Sequence, residues 1–338
     1  MRVLRSLEEL TAPLLAPALT IGNFDGVHAG HSRILASVAE EARAGGGTAV
    51  AMTFDPHPAH VLGRVAPPLL TTLEQRLRLL GENGIAVALV LEFTREVSLL
   101  SPRAFVEEIV CRRLGTRVVC VGENFRFGHR QAGDVRLLEE LGRELGLAVR
   151  TIPPVIVRGQ VVSSSLVRRL VSEGDVAAAA ELLGRPFSLT GEVLAGAGRG
   201  REIGFPTLNL HPEQECTPGQ GVYITDTLLE GRLHPSATNV GVRPTFDGST
   251  FAHRAEREAR HGGPLAPPSA GLVVESHLLD YSGRVEGGRL EVRFHERLRR
   301  EQKFSSPEAL REQIARDVEA ARQFFGRQQP NPKIEIRK

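Results

Sequence analysis

The chain has 338 residues, 41% hydrophobic and 24% charged, with a formal net charge of +2. That length calls for two cores, and so even a charge balance excludes nucleic-acid binding driven by a strong positive field. Of the 42 basic residues only Lys303, Lys333 and Lys338 are lysines. A G-x-x-x-x-G-K-[ST] phosphate loop is therefore excluded, and phosphate bound early in the chain must meet Arg, His, backbone N–H groups or a metal.

Cys111, Cys120 and Cys216 are odd in number and show no C-x-x-C spacing, which speaks against a disulfide framework or a zinc site. The N-terminal stretch "MRVLRSLEELTAPLLAPAL" carries Glu8 and Glu9 where a signal peptide needs apolar residues, and the longest uncharged run, Leu10 to Phe24, is broken by Pro13 and Pro17. No membrane span is expected, and the cytoplasm is the expected location.

In chain order, "ALTIG" is followed by a helix beginning near His31. "TAVAMTF" precedes a helix opened by Thr72, with Gln75 at capping-box spacing. "AVALVLEF" leads to a helix with Ser101 as N-cap and Pro102 in its first turn; "RVVCVG" leads to one starting near Asp134; "AVRTIPPV" closes the series. Five such alternations predict a doubly wound α/β domain, a parallel sheet with helices on its faces and ligands at the carboxyl ends of the strands. After "AAAAELLGRPF" the rhythm changes to short β-rich segments, "LTGEVL", "GVYITDTLL", "LHPSATNVGV", "LVVESHLLDY" and "RLEVRFHERL". These predict an antiparallel barrel or sandwich. A long amphipathic helix follows Ser306 and Pro307. The expected domains are residues 1–185 and 186–326, with a loose tail over 327–338.

The stretch "GNFDGVHAGH", Gly22–His31, lies at a strand's carboxyl end. Histidines spaced i, i+3 at a helix start reach one ligand, Gly22, Gly26 and Gly30 permit close backbone approach, and the helix N-terminus favours an anion. This describes a phosphate cradle without lysine. The "SSS" of residues 163–165 reads equally as a helix N-cap or as phosphate ligands, and His57 in "DPHP" as a ligand contact or a turn cap. In the second half, "GAGRGREIGFPTLNL" (196–210) combines glycines with Arg199 and Arg201. Thr207 and Asn209, two apart on an extended segment, offer hard oxygens for Mg²⁺ or merely satisfy a turn. Glu275 interrupts an apolar strand, either as a solvent-facing residue or as a carboxylate kept for chemistry.

"HAGH" resembles the H-x-G-H signature of the adenylyl/cytidylyl-transferase superfamily. The longer G-x-F-D-G-x-H-x-G-H pattern, with "MTFDPHP", "LLTTLEQRLRLL", "VGENFRFGHRQAGD" and "VSSSLVRRLVSEGD" in order, resembles the bifunctional bacterial riboflavin kinase/FAD synthetase family. "GxGRxxGFPTxN", "NVGVRPTF" (239–246), "ESHLLDY" and "RLRREQKFSSPEALREQIARD" extend that resemblance to about residue 326.

The resemblance implies a nucleotidyltransferase domain that adenylylates FMN to FAD, and a small Greek-key barrel with a C-terminal helix that phosphorylates riboflavin to FMN. Each step would use ATP and Mg²⁺. It implies nucleotide contacts at Gly22, Phe24, Asn124, Ser163, Ser164, Ser165 and Arg168 around His28 and His31, with the serines and Arg168 replacing a lysine-bearing loop. In the barrel it implies nucleotide at Gly198, Arg201 and Gly204, Mg²⁺ at Thr207 and Asn209, and Glu275 as base. Leu208 stands where Ala is common, and residues 251–272 look like an insertion, more a surface decoration than a lid. An enzyme keeping only the kinase step, and a non-catalytic flavin- or nucleotide-binding regulator, are the alternatives. The expected partners are small molecules, without nucleic acid or membrane; self-association is left open.

Overall fold

The computed structural model describes residues 1–63, 65–194, 204–242, 272–283, 285 and 287–328. The chain divides into two compact units, Met1–Val167 and Arg168–Lys338.

The first unit is built on strands β1 (Arg2–Leu4), β2 (Ala18–Ile21), β3 (Ala49–Asp55), β4 (Val87–Glu92), β5 (Val118–Gly122) and β6 (Ala148–Ile152). All pair in parallel in the order β1-β4-β3-β2-β5-β6. β1 is a strand the sequence reading lacked; three residues are too few to show an alternation. Strand residues sort by parity. Leu19, Ile21, Val50, Met52, Leu89, Leu91, Val119 and Val121 share one core, whereas Ala18, Ala49, Ala51, Ala88 and Cys120 share the other. Small residues thus let α1 (Ala29–Ala44) lie close on the second face, where Leu35, Val38 and Ala42 enter the core.

α2 (Pro58–Val61) and α3 (Leu73–Glu82) follow β3, and α4 (Arg95–Leu99) follows β4. α5 (Pro102–Ala104) continues as a π-helical stretch, Phe105–Arg113, and α6 is Val135–Leu145. The expected caps are present at Thr72 with Gln75, at Ser101 and at Asp134. α1 begins at Ala29, two residues before the expected start, because His28 itself is the N-cap. A short hairpin, β7 (Ile156–Val157) and β8 (Gln160–Val161), leads to α7 (Ser164–Glu173). The chain runs outward from β2 through β3 and β4, then crosses back to β5 and β6. The switch point is the crevice between β2 and β5.

In the second unit α8 (Val176–Leu183) packs on the barrel strands β9 (Phe187–Leu194) and β14 (Arg289–Arg299), which is why the division falls before the expected boundary at residue 185. The other strands are β10 (Leu208–Pro212), β11 (Gly221–Leu229), β12 (Arg232–Val242) and β13 (Leu272–Leu278). They close an antiparallel barrel in the order β10-β13-β12-β11-β14-β9. β14 returns beside β11 of the β11-β12-β13 series, a Greek-key arrangement. The helix α9 (Pro307–Gln328), opened by Ser306, lays Val318 and Ala321 on Ile224 and Ala237 of the barrel's outer surface.

The barrel interior is not purely apolar. Thr225, Thr227, Ser236, Thr238 and Ser276 are fully buried and hydrogen-bonded to one another at 2.7 to 3.1 Å. Five inward hydroxyls satisfy each other, so the belt escapes the cost of unpaired buried polar groups. The insertion through residue 271 and the tail from residue 329 lie outside the described residues.

Candidate functional site

Two sites are built separately, one in each unit. In the first, the turn from β2 into α1 takes three positive φ values: Phe24 at +48°, Gly26 at +82° and Val27 at +38°. At the two non-glycine residues such backbone costs about 1–3 kcal/mol each and survives only where neighbours over-determine it. Asp25, 2% exposed, supplies that restraint. Its carboxylate accepts from the amides of Leu70 and Thr71 at 3.0 to 3.1 Å and from the Thr71 hydroxyl at 3.1 Å; the Gly26 amide donates to the same hydroxyl at 3.2 Å.

The His28 Nδ1 accepts from the His31 amide at 3.3 Å, which leaves the neutral ring its proton on Nε2. The two imidazoles stack with centroids 3.7 Å apart and planes 14° from parallel. A Cβ on Gly30 would stand 3.1 Å from the His28 Cε1, 3.2 Å from its Nδ1 and 3.7 Å from the Val162 carbonyl, so a side chain there would press on the His28 ring. Phe24, also expected among the nucleotide contacts, is 2% exposed. Its ring lies under the space a Gly22 side chain would fill and meets His31 edge-on at 5.3 Å, so it supports the cradle from below.

Burial, then the charges of His28 and Arg76, hold His31 well below the ordinary histidine value of 6.5, and its Nδ1 is buried without a hydrogen-bond partner among the described residues. The His31 ring signals in an NMR titration are therefore expected to keep neutral-imidazole positions as pH falls through 6.5. The unfolded chain takes up that proton while the fold refuses it, so this contribution to stability is present above 6.5 and is lost as pH drops toward the depressed folded value. A His31 midpoint near 6.5 would refute the buried neutral ring.

Arg76 is the residue that the sequence reading missed. Within "LLTTLEQRLRLL" it resembles any helical arginine, yet it is 2% exposed. It donates to the Thr53 hydroxyl at 3.3 Å and the Phe54 carbonyl at 3.1 Å, and its Nε has no hydrogen-bond partner among the described residues. Burial lowers its pKa while Asp25 and Asp55 oppose that shift. A guanidinium remains charged in any case, so a fixed cation is buried in a segment without lysine. His57 caps α2, its Nδ1 accepting from Ala59, and its Nε2 lies 3.1 Å from the Asn23 amide nitrogen.

The Ser163 hydroxyl accepts from the Leu166 amide at 3.3 Å as a cap, and the Ser164 hydroxyl donates to the Asp25 carbonyl at 2.9 Å, reaching the cradle's backbone. Ser165 and Arg168 continue α7. Asn124 stands on the turn that follows β5, across the switch point from the cradle, where the Phe125 amide donates to the Gly122 carbonyl at 3.0 Å.

In the second unit the register sets Asn209 opposite Glu275 and Glu275 opposite Asn239, a row across β10, β13 and β12. Leu210, Val274, Ser276, Thr238 and Val240 on the alternate positions are buried inside the barrel, so the row lies on its outer surface. Glu275 is therefore a half-buried outer-face carboxylate rather than a charge in the core. Leu208 pairs with Ser276 and shares the inner face, away from Asn209. Asn239 is a second residue that sequence reasoning did not single out. Gly204 has φ +86°, a conformation that favours glycine. Gly198, Arg199 and Arg201 lie outside the described residues.

The Asn209 Oδ1 is buried without a hydrogen-bond partner among the described residues. An orphaned amide oxygen beside a carboxylate, with the Thr207 hydroxyl two residues earlier, is a donor set that fits Mg²⁺. Among the described residues no group of three His, Cys, Asp or Glu could hold a metal, so a cation here would complete its shell with water or substrate oxygens.

No helix among the described residues is long and apolar enough to cross a membrane. A solved Streptococcus pneumoniae structure, described as a macrolide-efflux protein, shares the fold with a TM-score of 0.81 and 25% identity, over 95% of this chain and 98% of that one. The FAD synthetase family model matches residues 14–166 and the riboflavin kinase model residues 183–325. The bifunctional riboflavin kinase/FMN adenylyltransferase of Escherichia coli strain K12 is 34% identical over 98% of this chain and all of its own length. Its namesake in Pseudomonas fluorescens is 35% identical over 95% and 97%, and that of Bacillus subtilis strain 168 is 31% identical over 91% and 92%. The chain belongs to the bifunctional riboflavin kinase/FMN adenylyltransferase family.

Proposed function

We infer that this chain makes FAD from riboflavin in two ATP-consuming steps. Phosphorylation to FMN is assigned to the barrel, residues 186–326, and adenylylation of FMN to the α/β domain, residues 1–185. The observation that carries the reading is the coexistence of two chemically distinct groups of side chains, each suited to phosphate. One has paired imidazoles at a helix N-terminus on a sheet switch point; the other has amide and carboxylate side by side on a barrel.

In the barrel, Glu275 takes the proton of the riboflavin 5′-hydroxyl as that oxygen attacks the γ-phosphorus of ATP, and ADP leaves. Thr207 and Asn209 would hold Mg²⁺, which when bound neutralises and orients the triphosphate; Gly198, Arg201 and Gly204 take the nucleotide. In the α/β domain a phosphate oxygen of FMN attacks the α-phosphorus of a second ATP in line, and pyrophosphate leaves. That chemistry is mostly positioning and charge stabilisation. The His28 Nε2–H faces the charge that develops on the phosphates, and His31 is held beside it. Gly22, Asn124, Ser163, Ser164, Ser165 and Arg168 complete the nucleotide site, with Phe24 behind it. A cytoplasmic location is proposed as well, supported by three unbridged cysteines.

Incubation with riboflavin, ATP and Mg²⁺ is expected to yield FAD with FMN as intermediate, and chelation of the metal to stop both steps. Products are separated by chromatography. Accumulation of FMN alone would leave the first unit without its assigned activity, and unchanged riboflavin would overturn the reading.

A further inference from the structure

We propose that His277 is a positioning residue of the kinase site, holding the segment Gly204–Asn209 in the register that its ligand role requires. The proposal rests on the reading of the barrel as the riboflavin kinase.

His277 follows Glu275 by two residues on β13, so both occupy the strand's outer face. Its Nδ1–H donates to the Pro206 carbonyl at 2.8 Å, and its ring meets Phe205 edge to face, centroids 5.4 Å apart and planes at 80°. Both partners belong to the segment that leads into Thr207. Pro206 has no N–H and a fixed φ, so its carbonyl is the group through which this peptide can be held. That carbonyl carbon forms the peptide bond to Thr207, and holding it fixes the direction in which Thr207 departs.

The ladder explains why a side chain is needed there. Register pairing between β10 and β13 starts at Leu208 opposite Ser276 and continues with Asn209 opposite Glu275. Thr207, one residue before, has no strand partner on β13. His277 stands where the next partner would be and supplies through its ring the hydrogen bond that the backbone ladder does not. Phe205 adds a second anchor by packing against the buried cluster of Ile224, Ala237, Leu279, Val318 and Ala321 under α9. The site thus has two independent links between β13 and the preceding segment. Strand pairing places Asn209 against Glu275; His277 places Thr207.

The two links predict an asymmetric defect. Loss of the His277 hydrogen bond frees Thr207 while Asn209 and Glu275 keep their ladder, so nucleotide affinity should suffer more than turnover at saturation. His277→Phe keeps an aromatic ring for Phe205 and removes the donor. His277→Asn retains a donor at about the position of Nδ1. Steady-state riboflavin phosphorylation with ATP varied at fixed Mg²⁺ is expected to show KM for ATP raised roughly tenfold in His277→Phe, the scale of one lost hydrogen bond, with kcat within about threefold. His277→Asn should recover most of that loss. FAD formation from added FMN, measured on the same samples, should be unchanged and serves as the control for an intact chain. A kinase KM within twofold of wild type in His277→Phe overturns the proposal. So does an Asn variant as impaired as the Phe variant, since the ring's bulk would then be what matters. Wild-type protein that forms no FMN from riboflavin defeats the kinase reading itself, a result that is separate from either variant's outcome.

Discussion

Glu275→Gln is expected to lower the rate of riboflavin phosphorylation by about 10²–10⁴-fold, the usual contribution of a positioned general base, while conversion of added FMN to FAD continues at the wild-type rate. The argument begins with the row Asn209, Glu275, Asn239 on the outer surface of the barrel. Directly opposed residues on neighbouring strands carry Cβ atoms about 5 Å apart, so the carboxylate stands between two amides and next to the orphaned Asn209 oxygen. Glutamine preserves volume, keeps the register and still offers an oxygen, but it cannot accept the alcohol proton. The loss should therefore appear in kcat, with KM for ATP changed little. Single-turnover FMN formation read by chromatography decides it. Undiminished kcat would remove Glu275 from the chemistry, and a loss of adenylyl transfer in the same protein would contradict the division of labour between the two units.

The reciprocal result is expected from His28. His28→Ala should reduce FAD formation by about 10²–10³-fold, the cost of removing one donor aimed at developing charge, with FMN accumulating from riboflavin. Alanine also deletes the N-cap of α1, which costs about 1 kcal/mol of helix stability. A second variant separates the two effects. His28→Asn keeps a capping acceptor but not an imidazole Nε2–H, so it should retain the wild-type melting temperature and share the loss of activity. Recovery of FAD formation in His28→Asn would reduce the residue to a helix cap. Equal loss of FMN and FAD in either variant would mean that the two steps do not reside in separate units.

Much of this architecture was open to inspection in the residue order because the relevant chemistry is local. Thr72 with Gln75, Ser101 before Pro102, Asp134 and Ser306 each bond an amide three residues on, and such caps leave their signature within one turn. The central parallel strands, β2 to β5, announced themselves by apolar runs that are mostly buried. Histidines three apart after a glycine turn were visible for the same reason: His28 and His31 stack within a single helical turn. Features made by distant residues were not visible. β1 exists only by pairing with β4. Asp25 acts through Leu70 and Thr71, forty-five and forty-six positions away. Arg76 became a buried cation because of where α3 lies against β3, which helical spacing cannot disclose. The hydroxyl belt in the barrel is likewise a product of distant residues, since threonine and serine can be buried once three strands bring their hydroxyls together.

The residue order by itself determined the two rhythms, the caps, the lysine-free cradle motif and the chemical types at Thr207, Asn209 and Glu275, all matters of composition and of contacts within a turn or a strand. Only the tertiary structure decided that the Phe24 ring is buried against His31, that Glu275 faces outward, and that Asn209, Glu275 and Asn239 form one row. The physical reason is that strand register and helix docking are set by side chains far apart along the chain, whose encounter no local pattern encodes.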